Sequence, residues 1–168
     1  FTSAERLFNE NKKSSAQKAF SSYLKNYPQG ANQLQVKFLS AELYFQDKDW
    51  ESAIERYQAV LDQSVSEYTE QSLVRITQSY VNGNQKIKAL PFWKTLDELA
   101  QFQENKRYAL FNLMQLYFEE ENFKEAIFYA DRVIELKQLG QKIKWDAYKV
   151  LARSSIVIKD KPRAAKAY

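Results

Sequence analysis

The chain has 168 residues with 25 basic and 21 acidic side chains, and it contains no Cys, no His, three Gly and three Pro. Without Cys or His there is no zinc site, disulfide, thiol nucleophile or imidazole base, and so few glycines leave little material for phosphate loops or dinucleotide fingerprints. No run of about eighteen apolar residues occurs, so no segment reads as a membrane-spanning helix.

Apolar spacing and turn signals divide the chain into ten predicted helices. Residues 1–11 and 14–27 make the first pair; Ser14 followed by Gln17 approximates a capping box, and Pro28-Gln29-Gly30 closes the unit. The second pair, 31–46 and 50–64, carries the stripe Phe38, Ala41 and Tyr44, with Asp49 as cap and Trp50 opening its second helix. The third, 67–82 and 87–102, carries Leu73, Ile76 and Tyr80 and turns at Asn82-Gly83-Asn84. Pro91 lies two residues after Ala89, so this second helix is expected to begin late, near Lys88, and not to run through the proline. The fourth, 105–120 and 123–138, carries Leu110, Leu113 and Tyr117; Asn122 with Glu125 approximates another capping box, and Phe123 opens the second helix. Leu139-Gly140 leads to the fifth, 141–158 and 161–168, with the stripe Tyr148, Leu151 and Ser155. Asp160 caps its second helix, and Pro162 falls in a first turn, where its missing donor is harmless. No segment alternates as a strand does.

One alanine per unit sets the period. Ala16, Ala53, Ala89, Ala126 and Ala164 are 37, 36, 37 and 38 residues apart, and each follows Leu7, Tyr44, Tyr80, Tyr117 or Ser155 by nine. Four residues past them stand Phe20, Tyr57, Trp93, Ala130 and Tyr168, and three further on Tyr23, Val60, Leu96 and Val133. A small residue among bulky neighbours at helical spacing is what two closely crossing helices need, so each unit reads as a helix hairpin. The expected fold is all-α and a single domain of about five units, about 1–30, 31–66, 67–103, 104–139 and 140–168. Both ends read as cut through a repeat, which makes the chain a piece of a longer array. Uncapped array ends expose apolar surface, so end-to-end association is expected.

These residues resemble the tetratricopeptide repeat, a helix-turn-helix unit of about 34 residues. The best matching stretch runs from Leu110-Phe111-Asn112-Leu113-Met114-Gln115-Leu116-Tyr117 through Asn122-Phe123-Lys124-Glu125-Ala126-Ile127. The resemblance covers essentially the whole chain and implies a right-handed superhelical solenoid of antiparallel helix pairs that binds proteins and catalyses nothing. The sequence departs from the family pattern in its period, averaging 37 residues, in lacking the Gly of the first helix, and in keeping one terminal Pro, Pro28. Ala16 to Pro28 is similar to the longer-period repeats of bacterial cell-envelope proteins, of the TolA-binding and outer-membrane assembly types. That similarity implies a periplasmic or outer-membrane setting.

In such a solenoid the first helices line the concave face, and function has to be argued from that lining. Beside the core stripe it offers Phe38, Glu42 and Phe45 from the second unit and Val74, Gln78 and Val81 from the third. The fourth adds Tyr108, Phe111, Gln115 and Phe118, and the fifth Lys149, Arg153 and Ile156. Relatives that grip a chain-terminal carboxylate use Lys, Asn and Arg where Phe38, Val74, Phe111, Glu42, Gln78 and Gln115 stand, so the resemblance implies no such clamp here. Aromatic platforms with Gln side chains suit a partner helix or an extended apolar segment instead. The same Phe residues can also pack between neighbouring first helices, and their exposure decides between the two.

Charge is uneven. Residues 137–168 carry nine basic and two acidic side chains, against 16 and 19 in residues 1–136. Lys142, Lys144, Lys149, Arg153, Lys159, Lys161, Arg163 and Lys166 either meet an anionic partner or only solvate their helices. Glu119-Glu120-Glu121 and Asp47-Lys48-Asp49 sit beside turns, where carboxylates cap or solvate helix ends. No paired-carboxylate or other catalytic signature, cofactor motif or metal site is found. The expected function is therefore a protein-binding scaffold; an RNA-binding helical repeat and a regulatory or spacer module of a larger protein are the alternatives.

Overall fold

The period of the alanines is the period of the packing, since Ala16, Ala53, Ala89, Ala126 and Ala164 are all buried. The computed structural model describes residues 1–63, 65–137 and 139–167, with the backbone alone for Lys166 and Ala167. Ser64, Gln138 and Tyr168, placed by the sequence reading at helix ends, lie outside the described residues, as does the Lys166 side chain. Regular structure among the described residues is entirely helical.

The chain divides into two compact units, Phe1–Ala89 and Leu90–Tyr168. The first holds α1 (Thr2–Asn9), α2 (Lys13–Asn26), α3 (Gln33–Gln46), α4 (Trp50–Leu61) and α5 (Thr69–Asn82), followed by a 3-10 turn over Lys86–Ala89. Successive helices pack in chain order, and α3 also touches α5. Phe20, Val36, Tyr57, Val60, Leu73 and Ile76 are buried to the last few per cent of their surface. Each such side chain contributes about 1.5–3 kcal/mol, so burial rather than propensity holds helices as short as these.

The second unit holds α6 (Leu90–Leu99), α7 (Gln103–Glu119), α8 (Phe123–Ile134), α9 (Gln141–Val157) and α10 (Lys161–Ala167). Here too neighbours in sequence pack together, and α7 touches α9. Trp93, Leu96, Leu110, Leu113, Met114 and Val133 are fully buried.

Trp50 and Phe123 open α4 and α8 as the sequence reading expects. At Pro91 the structure corrects it. α6 begins at Leu90, so the proline is its second residue, and Lys86–Ala89 form the separate 3-10 turn. N–H groups of a first turn have no acceptor within the helix, so the helix accommodates a residue that lacks one.

The single caps form. Asp49 Oδ1 accepts from the Ser52 N–H and Asp160 Oδ1 from the Arg163 N–H, each at 3.2 Å. The capping boxes do not. Ser14 lies inside α2, which begins at Lys13, and the Asn122 side chain makes no cap bond. A capping box needs the cap residue's own N–H for the returning Glu or Gln. In this chain the Asn122 N–H is already given to the Tyr117 carbonyl at 2.8 Å, and that of Lys12 to Leu7 at 2.9 Å.

Those two bonds belong to a device repeated five times. Asn11, Lys48, Asn84, Glu121 and Lys159 all have positive φ, between 55° and 62°. The N–H after each corner donates to a carbonyl five residues back, on Leu7, Tyr44, Tyr80, Tyr117 or Ser155, at 2.8–3.0 Å. The corner's own N–H donates three residues back. This is the Schellman ending of a helix, built without glycine at the left-handed position of any of the five turns. Gly83 itself has φ −83°; the left-handed residue of that turn is Asn84. Left-handed backbone disfavours a Cβ. Lys48→Gly and Glu121→Gly are each expected to stabilise the fold by about 0.5–1 kcal/mol, read as a higher urea midpoint at unchanged slope.

Candidate partner-binding face

The lining residues of the first unit are drawn together by one cation. Arg75, on α5, donates from Nε to Glu42 Oε1 at 2.8 Å and from Nη2 to Oε2 at 3.2 Å. Its Nη1 reaches Gln78 Oε1 at 3.2 Å, and its guanidinium lies over the Phe45 ring, 4.4 Å from the centroid. The Tyr57 hydroxyl also donates to Glu42. Glu42 is thus held by two donors within the unit. Bidentate geometry makes such pairs the strong ones of their kind.

Phe38 and Phe45 are half-buried and part of an aromatic cluster. Phe38 meets Tyr57 and Tyr68 at 5.8 and 4.9 Å between centroids, and Phe45 meets Trp50 edge-on at 5.4 Å. Val74 is buried, and Val81 is exposed. On this unit, then, the aromatic lining packs against its neighbours. Arg75 is the residue the sequence reading missed. The available signal was an opposite charge about one repeat away from Glu42.

Burial, followed by the Glu42 carboxylate, pushes the Tyr57 phenol far above its ordinary value of 10.0. Below that value the group is protonated in folded and unfolded chains alike. Above it the unfolded chain sheds the proton while folded Tyr57 retains it. Stability is therefore expected to fall as pH rises past 10.0, and Tyr57→Phe should flatten that part of a stability profile in urea.

The second unit is different. A pocket of about 150 Å³ opens where α7 meets α9, lined by Gln115, Phe118, Asp146, Lys149, Val150 and Arg153. Four of the residues expected at a binding face, two from each helix, thus share one cavity. Phe118 is half-buried and meets Phe123 edge-on at 6.1 Å. Phe111 and Tyr108 are half-buried on the same helix, and the Tyr108 carbonyl accepts from Asn112 Nδ2 at 2.8 Å. Lys149 and Arg153 are exposed. Among the described residues, no three carboxylates gather as they would around a metal ion, and no helix is long and apolar enough to cross a membrane.

Residues 35–64, which span α3 and α4, match the tetratricopeptide repeat family model. The chain carries a tetratricopeptide repeat. No curated protein matches it by sequence. Among solved structures, YrrB, a TPR protein with an unusual peptide-binding site, superposes with a TM-score of 0.66 at 16% identity, covering 98% of this chain and 78% of its own. A tetratricopeptide repeat protein from Parabacteroides merdae gives 0.68 at 15%, covering 99% and 75%. A TPR repeats protein from Bacteroides fragilis gives 0.60 at 12%, covering 98% and 80%. At these identities the likeness shows the fold: the repeated helix hairpins expected from the alanine period, and the all-α tetratricopeptide array that the resemblance implies, are the fold the chain has.

Proposed function

We propose that the chain is a non-catalytic interaction module that holds a partner segment against the first helices of its hairpins. The carrying observation is the α7–α9 pocket, where Gln115, Phe118, Lys149 and Arg153 converge from two first helices. An apolar ring, an amide able to pair with a partner's backbone, and two cations around one cavity form a recognition surface. The tetratricopeptide fold supports this reading, and so does a similar structure described as having a peptide-binding site. Tyr108 and Phe111 continue the face along α7. In the first unit Phe38, Glu42, Phe45, Val74 and Gln78 take the corresponding places, with Glu42 already paired to Arg75.

The test is selection of peptides of about twelve residues from a random library on the purified chain. Phe111→Ser with Phe118→Ser is expected to weaken the selected peptides at least about tenfold while helical content is retained, because a buried aromatic anchor is worth upwards of about 1.4 kcal/mol. Unchanged binding by a folded double variant removes the face from consideration.

A further inference from the structure

We infer that the partner segment is acidic, and that α9 reads its carboxylates through Lys149 and Arg153 with Trp145 as an adjacent platform. This rests on the α7–α9 face proposed above. At about 100° per residue, Lys142, Trp145, Lys149, Arg153 and Ile156 fall within about 80° of one side of the helix. All five are exposed, Trp145 by 70% and Ile156 by 53%. Trp145 is the most exposed of the chain's three tryptophans, and it stands between cations.

The cations that line and flank the pocket are also unneutralised. Arg75 is paired with Glu42, and Arg132 with Asp97. Among the described residues Lys142, Lys149 and Arg153 make no ion pair, and Asp146, the one carboxylate in the pocket, makes none with them. Their charge is left for an external anion.

Lys149 and Arg153 are one turn apart, about 6 Å along the axis. Carboxylates on alternate residues of an extended segment are separated by about 6.6 Å, and those one turn apart on a partner helix by about 6 Å. Gln115 and Phe118, across the pocket, suit the backbone and one apolar side chain of the same segment. A nucleic acid is a poorer match, because a phosphate track needs cations along its whole length. The end of α7 and the turn after it instead expose Glu119, Glu120 and Glu121. Recognition here is of side-chain carboxylates along one helix, so a free chain terminus is not required.

The random-peptide selection tests this on the whole chain. Enriched peptides are expected to carry at least two acidic residues within five positions, to bind equally with free or amidated ends, and to lose affinity as salt is raised from 0.1 to 0.5 M. Lys149→Glu with Arg153→Glu, at exposed positions, should weaken them at least about tenfold. Neutral or basic peptides that bind the face, are weakened by Phe118→Ser and are unaffected by the charge reversal would overturn the acidic partner and leave the face standing. Failure to enrich any peptide, or binding insensitive to both sets of variants, overturns face and partner together. Tighter, salt-steep binding of an oligo(U) probe, abolished by the charge reversal, replaces the peptide with nucleic acid and overturns the inference.

Discussion

Trp93→Ala is expected to lower the unfolding free energy by about 3–5 kcal/mol, the largest single effect in the chain. Trp93 is the largest fully buried side chain and stands four residues after Ala89, at the bulky position of the third unit. Its indole N–H has no acceptor among the described residues. The side chain therefore contributes through packing alone, and burying that donor works against it by about 1–3 kcal/mol. Trp93→Phe retains most of the contact area and removes the unpartnered donor, so its loss should stay below about 1.5 kcal/mol. Urea midpoints of the two variants check the argument. A phenylalanine variant as damaged as the alanine one would show that the indole nitrogen is bonded after all.

The second large effect lies at Asp97, a carboxylate only 6% exposed. Arg132 Nη2 donates to its Oδ1 at 2.9 Å, Nη1 donates to Oδ2, and Lys106 Nζ donates to its backbone carbonyl at 3.1 Å. The Arg132 guanidinium also lies over the Phe128 and Tyr129 rings, at 5.6 and 5.8 Å from their centroids. Removing one partner of a buried pair strands the other charge, which costs about 3–5 kcal/mol when both are fully buried. Here Arg132 and Lys106 remain 30% and 31% exposed, and water recovers part of their solvation. Asp97→Ala is accordingly expected to cost about 2–3 kcal/mol. Asp97→Leu combined with Arg132→Met should restore most of it. A double-mutant cycle of Asp97→Ala and Arg132→Ala returning no coupling would remove the pair from the account.

The helices were legible because their cause is local. A buried alanine every 36 to 38 residues, with bulky neighbours at helical spacing, fixes where hairpins cross without any knowledge of the three-dimensional structure. Helix ends were less so. α4, α6 and α8 stop at Leu61, Leu99 and Ile134, about three to four residues before the apolar pattern does. The capping box at Asn122 failed because the backbone donor that completes it is used in a Schellman turn, the one at Ser14 because α2 already begins at Lys13, and no turn carries glycine at its left-handed position to announce it. Side-chain pairs between hairpins were not legible at all. Glu42 with Arg75 and Asp97 with Arg132 are 33 and 35 residues apart, so each joins neighbouring repeats. A repeat pattern fixes the spacing of such neighbours but not which of several exposed-looking charges will meet. At the candidate face the residue types were readable, and what required coordinates was that Lys149 and Arg153 stay unpaired while Glu42 does not.

Five solvent-facing corners in a chain free of cysteine have a practical corollary. Asn11, Lys48, Asn84, Glu121 and Lys159 already hold side chains in left-handed backbone, so a thiol at any of them replaces one strained substituent with another. Each would be a unique attachment point for a spin label or dye, and Asn11, Lys48 and Asn84 lie in the compact unit that does not contain the α7–α9 pocket.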